Sequence, residues 1–315
     1  MQYINRIEDF QGEHRTAITL GKFDGLHRGH QKLIEAVIKL SKEAHNKSEE
    51  LESMVFAFDM LQFRKEHHHP YAQIMLREEK IDYLSCDIDY LVECPFGEKI
   101  RSVLAEDFIE QVLVKQFHAK YIVVGHGFHF GYKAQGNVAL LKKYEKQYDY
   151  KVLELSQAMY GERVISSTFI KERILNRDIV CANQLLGYCY TIYGTVIHGL
   201  KLGRKLGFPT MNIVPSENKL LPPFGVYVVQ VIIGNEMHYG IANLGSKPTV
   251  IEQGKVLVEV HVFDYEGDTY GEEIQVQFLK HIRDEQKFSG VDALKIQMQK
   301  DIEVAKNLVY KKQVV

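Results

Sequence analysis

The fold is decided by one stretch of the sequence, Leu20-Gly21-Lys22-Phe23-Asp24-Gly25-Leu26-His27-Arg28-Gly29-His30. It follows an apolar run that predicts a buried strand, and it opens a segment with apolar residues at helical spacing. A glycine-rich turn between a strand and a helix offers unpaired N–H groups and a positive dipole end, which suit a phosphate. Because His27 and His30 are three residues apart, both imidazoles can face a triphosphate from one side of the helix.

The first half of the chain alternates strand-like and helix-like segments around this turn. Apolar runs that predict buried strands occupy residues 16–20, 53–58, 90–93, 121–124 and 152–155. Helical spacing of apolar residues separates them, as in Leu33, Ile34, Val37 and Ile38. This alternation predicts a parallel, doubly wound α/β sheet, whose ligands bind at the carboxyl ends of the strands.

The pattern changes near residue 190. Strand-like segments with little helix between them occupy residues 190–198, 225–233, 237–244, 256–264 and 274–281. Closely spaced strands predict a small antiparallel β-barrel, followed by a closing helix over residues 291–308. Residues 167–186 are predicted to be helical and to link the two units. The predicted domains are therefore residues 1–186 and 187–315.

Composition excludes several classes of protein. The 315 residues suit about two domains, and the net charge of −2 gives no indication of nucleic-acid binding. No apolar run approaches the ~20 residues that cross a bilayer, and residues 1–10 lack an apolar signal core, so a cytoplasmic protein without a membrane partner is predicted. Free thiols, rather than disulfides or a metal site, are predicted for the cysteines, which form no CxxC pair. The four are Cys86, Cys94, Cys181 and Cys189.

The form GxFDGxHxGH of the turn resembles the HxGH signature of nucleotidylyltransferases. It looks specifically like that of the prokaryotic bifunctional riboflavin kinase/FMN adenylyltransferase (FAD synthetase) family. Residues 121–131 are similar to the VVGxDFxFG segment of the family, and residues 164–171 to its ISSTxIR segment. The resemblance implies a Rossmann-like domain that adenylylates FMN, with His27 and His30 as catalytic residues and Phe58 and Phe128 at the flavin. The implied ATP-binding residues of this half are Gly21, Phe23, Asp24, Gly29, Ser166, Ser167, Thr168 and Lys171.

The barrel half resembles the kinase of the same family. Residues 194–212 closely resemble its GxxxHGxxxGRxLGFPTAN signature, and residues 242–249, 258–264 and 283–288 resemble its ANIGxxPT, LEVHLLDF and RDEQxF segments. Thr210 and Asn212, two apart on an extended segment, point the same way, and their oxygens suit Mg²⁺.

The resemblance implies transfer of a phosphate from ATP to riboflavin, and it assigns a role to Glu259. The strand pattern alone would leave Glu259 as an exposed glutamate, whereas the family makes it the base that accepts the 5′-hydroxyl proton. The implied ATP-binding residues of this half are Gly199, Gly203, Arg204, Lys205 and Gly207. The implied flavin-binding residues are Asn243, Arg283, Glu285 and Phe288. The implied substrates are riboflavin, FMN and ATP, and FMN and FAD are the products.

Three positions in the first half depart from the family pattern. Gly127 replaces an acidic or amide residue, Lys171 replaces arginine, and residues 58–63 contain no proline. They leave open a kinase whose adenylyltransferase half has decayed. A non-catalytic flavin-binding module, and a cytidylyl- or pantetheine-type transferase in the first half, are further alternatives. The triplet His67-His68-His69 is predicted to be exposed rather than to bind metal, and the oligomeric state is not predicted.

Overall fold

A computed structural model describes residues 1–66, 72–199, 203, 207–246 and 256–311. The chain divides into two compact units, Met1–Ser166 and Ser167–Val315. A domain boundary at residue 186 stays a prediction. The triplet His67-His68-His69 lies outside the described residues. Within them, no helix combines the length and the apolar character that crossing a membrane requires.

The described residues of the first unit form ten strands. They are β1 (Gln2–Ile4), β2 (Arg15–Gly21), β3 (Leu51–Asp59), β4 (Tyr90–Pro95), β5 (Ala119–Gly125), β6 (His129–Phe130), β7 (Gly136–Asn137), β8 (Lys151–Leu155), β9 (Met159–Tyr160) and β10 (Arg163–Val164). Six of them form one parallel sheet in the order β1-β4-β3-β2-β5-β8. The chain continues in opposite directions from the central pair, β2 and β5, so the carboxyl ends of these strands border the crevice where such sheets bind ligands.

Helices cover both faces of this sheet. They are α1 (Arg28–His45), α2 (Leu61–Glu66), α3 (Arg77–Leu84), α4 (Glu98–Arg101), α5 (Ala105–Asp107), α6 (Val138–Lys143) and α7 (Glu145–Tyr148), and α5 continues as a π-helix over Phe108–Gln116. Val37 of α1 packs with Ala17 and Val123 on one face, and Ile109 of the π-helix packs with Ile18 on the other. The alternation of buried residues along β2 thus separates two cores, and the predicted doubly wound sheet is confirmed.

The second unit is built on a closed six-stranded barrel. Its strands are β11 (Tyr190–Ile197), β12 (Met211–Ile213), β13 (Gly225–Ile233), β14 (Glu236–Ser246), β15 (Val256–Val262) and β16 (Glu273–Arg283). All neighbours are antiparallel, in the closed order β11-β12-β15-β14-β13-β16. The predicted barrel is confirmed, and β12 is a strand that the sequence pattern did not predict.

The second unit also contains the helices α8 (Ser167–Leu175), α9 (Ile179–Leu186) and α10 (Val291–Tyr310). The helical prediction for residues 167–186 is confirmed, with a break between α8 and α9 that it did not include. Arg177 adopts a left-handed φ of 64°, and the Asp178 carboxylate accepts a hydrogen bond from the Cys181 N–H as the N-cap of α9. The closing helix is confirmed, and its Ala305 and Val309 pack with Val226 of the barrel.

Candidate active sites

The turn between β2 and α1 is sharply folded. Phe23, Gly25 and Leu26 all have positive φ values, of 47°, 88° and 34°. The Asp24 carboxylate accepts a hydrogen bond of 2.8 Å from the N–H of Ile74, and a Cβ on Gly25 would lie 2.9 Å from the Ile74 side chain. Glycine is therefore required at position 25 both by conformation and by the close approach of Ile74.

The two histidines of the turn stack on each other. Their ring centroids are 3.7 Å apart, at an interplanar angle of 19°. His27 is the N-cap of α1, and its Nδ1 accepts a hydrogen bond of 3.2 Å from the Gly29 N–H. Burial lowers the pKa of His27 to about 4, against the opposing effect of the Asp24 carboxylate. Near pH 7 this imidazole is therefore neutral, and its proton is on Nε2.

His30 is neutral for similar reasons. Burial, followed by electrostatic interactions with His27 and Lys80, holds its pKa well below the usual range. Its Nδ1 is buried and finds no hydrogen-bond partner within the described part of the chain. This leaves Nε2 as the ring nitrogen that can meet a ligand. The turn thus presents two neutral imidazoles beside the start of α1, where N–H groups favour a phosphate.

A buried ion-pair cluster lies beside this turn, and the sequence pattern did not reveal it. The Lys80 ammonium lies 2.5 Å from the Glu93 carboxylate, which Arg77 also contacts at 2.8 Å. The Lys80 side chain is only 5% exposed. Burial alone would raise the pKa of Glu93, but Lys80 and Arg77 hold it below its usual value. Lys80 thereby places near His30 a positive charge that the Glu93 carboxylate balances.

Phe58 and Phe128 lie near the carboxyl ends of the strands that flank β2. Phe58 ends β3 next to Asp59, with its ring 5.5 Å from that of Phe96, and Phe128 follows β5 and stacks on Phe130 at 5.8 Å. Both rings pack against the same core, the one that contains Ile109 of the π-helix. The proline-free stretch after β3 forms α2, since every residue there can donate its N–H.

Gly127 has a φ of 78°, in the region that glycine adopts without strain. Asparagine and aspartate tolerate this region better than other residues with side chains. The backbone conformation therefore accounts for glycine at this departure from the family pattern.

The segment that leads to Ser166 approaches the histidine turn. A Cβ on Gly29 would lie 3.7 Å from the carbonyl oxygen of Ile165. Ser167 and Thr168 begin α8, and Lys171 follows one turn later. The roles of these four polar residues in ATP binding stay predictions.

The second unit contains a cavity of about 520 Å³, within the usual range for a small-molecule site. Eight of the predicted site residues line it together. They are Gly203, Thr210, Asn212, Asn243, Glu259, Arg283, Glu285 and Phe288. Other lining residues were not predicted: Val226, Ile241, His261, Gln286, Lys287, Leu294, Met298 and Asp301. The barrel, the loop after β16 and α10 all contribute to the wall.

Three polar residues form a row across adjacent barrel strands. Glu259 on β15 lies opposite Asn212 on β12 and opposite Asn243 on β14. Residues directly opposite each other have their Cβ atoms about 5 Å apart on one face of the sheet. Asn212 is only 7% exposed. The barrel register thus fixes a carboxylate between two amides on the cavity wall.

The glycine-rich segment before β12 packs closely on this row. A Cβ on Gly199 would overlap the Asn212 amide, and a Cβ on Gly203 would overlap the Phe208 carbonyl oxygen and lie 3.3 Å from Thr210 Oγ1. The Phe208 N–H donates to the Gly203 carbonyl at 2.8 Å, and Gly207 has a φ of 87°. Side chains at positions 199 and 203 would therefore displace the polar pair. Arg204 and Lys205 lie outside the described residues.

His261 shares the cavity with Glu259 and holds the segment before Thr210. Its Nδ1 lies 2.9 Å from the Pro209 carbonyl oxygen, to which the Nδ1–H donates. Burial lowers its pKa, although that hydrogen bond opposes the shift. The alternation of side chains along the strand puts His261 on the same face as Glu259. The sequence pattern therefore already contained the signal for its position.

Arg283 is fixed by the C-terminal helix. Its Nε donates to both carboxylate oxygens of Asp301 at 3.1 Å, and its Nη2 donates to Oδ2 at 2.8 Å. The guanidinium carbon lies 5.8 Å from the ring centroid of Phe288. Glu285 packs so closely on Gly245 that a Cβ there would overlap the carboxylate. The loop after β16 is thus anchored at both Arg283 and Glu285.

Comparisons with known proteins identify a family for each half of the chain. Residues 9–169 match the family model for FAD synthetase, and residues 186–309 match the model for riboflavin kinase. A Buchnera aphidicola (subsp. Schizaphis graminum) protein described as a bifunctional riboflavin kinase/FMN adenylyltransferase is 39% identical over 297 residues, covering 92% of this chain and 93% of that protein. An Escherichia coli K12 protein of the same description is 36% identical over 286 residues and covers 90% of each chain.

The fold is also shared with a solved structure over nearly the whole chain. A crystal structure from Streptococcus pneumoniae, described as a macrolide-efflux protein, has a TM-score of 0.85 at 31% identity. It covers 97% of this chain and 98% of that one. The resemblance predicted from the motifs is confirmed over both halves. The chain belongs to the family of bifunctional riboflavin kinase/FMN adenylyltransferases.

Proposed function

We propose that the second unit phosphorylates riboflavin with ATP and that the first unit transfers the adenylyl group of a second ATP to FMN. The observation that carries this proposal is the row of Asn212, Glu259 and Asn243 on the cavity wall, in a chain that also has two neutral, stacked histidines at the start of α1. The presence of both arrangements favours the bifunctional enzyme over a kinase with a decayed first half.

In the kinase reaction Glu259 acts as the general base. Its carboxylate accepts the proton of the riboflavin 5′-hydroxyl group while that oxygen attacks the γ-phosphorus of ATP. A bond forms between the 5′-oxygen and phosphorus, the bond to the β–γ bridging oxygen breaks, and ADP leaves. A neutral hydroxyl is a poor nucleophile, so a base within the same row of polar residues is the feature that this step requires.

Thr210 and Asn212 are the proposed Mg²⁺ ligands of this cavity. A hydroxyl and a side-chain carbonyl are hard oxygen donors, and Mg²⁺ usually takes few protein ligands together with phosphates and water. Because Gly199 and Gly203 pack against them, these side chains have little freedom to move. When bound, Mg²⁺ supplies charge neutralisation of the transferring phosphate.

The remaining cavity residues are proposed to divide between flavin and nucleotide. Phe288, Asn243, Arg283 and Glu285 are the flavin-binding residues. The apolar side chains of Val226, Ile241, Leu294 and Met298 extend the wall toward a planar ring. The ATP phosphates are proposed to be bound by Gly199, Gly203 and Gly207 of the glycine-rich segment before β12, and by Arg204 and Lys205.

In the adenylyl transfer a phosphate oxygen of FMN attacks the α-phosphorus of ATP. The new bond forms between these atoms, the α–β bridging bond breaks, and pyrophosphate leaves. Neutral His27 and His30 donate hydrogen bonds from Nε2 to phosphate oxygens that gain charge, and the start of α1 adds its N–H groups. No proton has to be removed from FMN, so this half needs hydrogen-bond donors and cations rather than a base.

The ATP of this second reaction is proposed to bind along the histidine turn, through Gly21, Phe23, Asp24 and Gly29. The family resemblance adds Ser166, Ser167, Thr168 and Lys171 to its proposed ligands. Phe58 and Phe128 are proposed to hold the isoalloxazine ring of FMN. A cytoplasmic location belongs to the same proposal, and the four cysteines of the chain, which are all free thiols, favour it.

Chromatographic product analysis tests both activities. The protein is incubated with riboflavin, ATP and Mg²⁺, and separately with FMN, ATP and Mg²⁺. We expect FMN and then FAD from the first mixture, and FAD with pyrophosphate from the second. FMN as the end product of the first mixture, with nothing formed in the second, would instead identify a kinase-only enzyme.

A further inference from the structure

The junction between α8 and α9 holds a residue that the two reactions do not use. Arg177 has a φ of 64°, where glycine is unstrained and a residue with a side chain is not. It lies in the interval from residue 169 to residue 186, between the end of the FAD synthetase match and the start of the riboflavin kinase match. Backbone strain that persists is commonly linked to a task of the side chain.

The Arg177 side chain reaches the loop that follows β16. Its Nε lies 2.9 Å from Oδ1 of Asp284, and Nε2 of His281 lies 3.2 Å from the same oxygen. The Arg177 side chain is 38% exposed and the Asp284 side chain 67%. The two nitrogens are buried, but neither meets the geometry of a hydrogen bond within the described residues, so the contact of Arg177 with Asp284 is electrostatic. Ion pairs with this exposure are weak and are screened by salt, so a modest effect on the loop is expected.

Arg177 is the positive partner in this group of three. Burial lowers the pKa of His281, although the Asp284 carboxylate opposes the shift. The imidazole is therefore neutral near pH 7. The charge that attracts Asp284 comes from the arginine, and His281 adds only a polar contact on the opposite side.

Asp284 begins the loop that lines the proposed flavin cavity. The preceding residue, Arg283, is held by Asp301, and the following residue, Glu285, lines the cavity with Phe288. One residue thus separates the ion pair with Arg177 from the cavity wall. Fixing the loop before the flavin binds lowers the entropy that binding costs.

We propose that Arg177 is a positioning residue of the riboflavin kinase site, which holds the loop of residues 284–288 through Asp284 in the conformation that receives the flavin. This role rests on the proposed flavin cavity. It makes the helical junction, which neither family model covers, a determinant of riboflavin affinity.

The variant Arg177→Gly tests this role without straining the backbone, since glycine adopts the native φ freely. We expect a Tm equal to or above that of the wild type and a riboflavin Kd about fivefold higher by fluorescence quenching. The kcat at saturating riboflavin should change little. Riboflavin is uncharged, so added salt should weaken its binding to the wild type through the Arg177–Asp284 pair and leave the variant insensitive.

Ser48→Gly is the matched control, because Ser48 also has a positive φ, of 63°, but lies in the turn after α1. It should leave the riboflavin Kd unchanged. The charge exchange Arg177→Asp with Asp284→Arg should restore affinity, since aspartate tolerates left-handed φ. Wild-type affinity and wild-type salt dependence in Arg177→Gly would overturn the proposal.

The variant Phe288→Ala distinguishes an error in the proposed role of Arg177 from an error in the flavin-cavity assignment. If Phe288→Ala weakens riboflavin binding and Arg177→Gly does not, the cavity stands and the role of Arg177 is refuted. If Phe288→Ala leaves riboflavin affinity unchanged, the cavity assignment is wrong and the role of Arg177 falls with it.

Discussion

The Glu259→Gln variant keeps the size and hydrogen-bonding capacity of the side chain but cannot accept the proton of the riboflavin 5′-hydroxyl group. Glu259 lies between Asn212 and Asn243 in the barrel register, so an amide fits the same row. A general base contributes about 10²–10⁴-fold to a rate, which corresponds to about 3–5 kcal/mol. We expect the kcat for FMN formation to decrease by about 10²–10⁴-fold.

The assay is chromatographic measurement of FMN at saturating riboflavin and ATP. The Tm and the riboflavin Kd should stay close to the wild-type values, because the substitution changes no packing volume. The same preparation should convert supplied FMN to FAD at the wild-type rate, and Glu273→Gln, an exposed glutamate at the start of β16, serves as the matched control. A kcat within about threefold of the wild type, or an equal loss of FAD formation from FMN, would refute the assignment of the base.

Three further predictions concern the first unit. His30→Gln should lower FAD formation from FMN by about 10²–10³-fold and spare riboflavin phosphorylation, and a normal rate of FAD formation would remove the histidine from the mechanism. The pKa of His27 falls from 6.5 to about 4 on folding, so the unfolded chain binds more protons between these values, and stability is lost as the pH falls through this window. Between pH 7 and pH 4, urea titrations should show the wild type losing about 3 kcal/mol more than His27→Gln, and an equal loss would contradict this. Lys80→Met leaves Glu93 with less compensation and should cost about 3 kcal/mol in the free energy of unfolding, much of which the added change Glu93→Gln should restore.

Sequence periodicity predicted the strands of both sheets because one or both faces of each strand are buried. It missed β1 and β12, which have three residues each and are too short to show a period. It also did not locate the break between α8 and α9, because the apolar pattern runs on without glycine or proline. The break depends on the Asp178 cap and on Arg177, whose partner Asp284 lies more than a hundred residues away in the chain.

The sequence predicted some residues of the candidate sites and missed others, because patterns within one element do not show which residues of different elements meet. Thr210 and Asn212 follow from their spacing, and Glu259 follows from the family resemblance. The barrel register pairs Asn212 with Glu259, and the cavity brings all three together. Lys80 and Glu93 were missed because charged residues are usually exposed, and their pairing depends on how α3 packs at the end of β4. Positional rules identify residues on the same element, whereas partners from different elements require the fold.

The central claim is that one chain transfers two different groups from ATP: the γ-phosphoryl group to riboflavin and the adenylyl group to FMN. Incubation with riboflavin and ATP that is radioactive in either the γ- or the α-phosphate tests this directly. We predict that the γ-label enters both FMN and FAD, and that the α-label enters FAD alone, with one pyrophosphate released for each FAD. Labelling of FMN by the γ-phosphate without any α-labelled FAD would contradict the account.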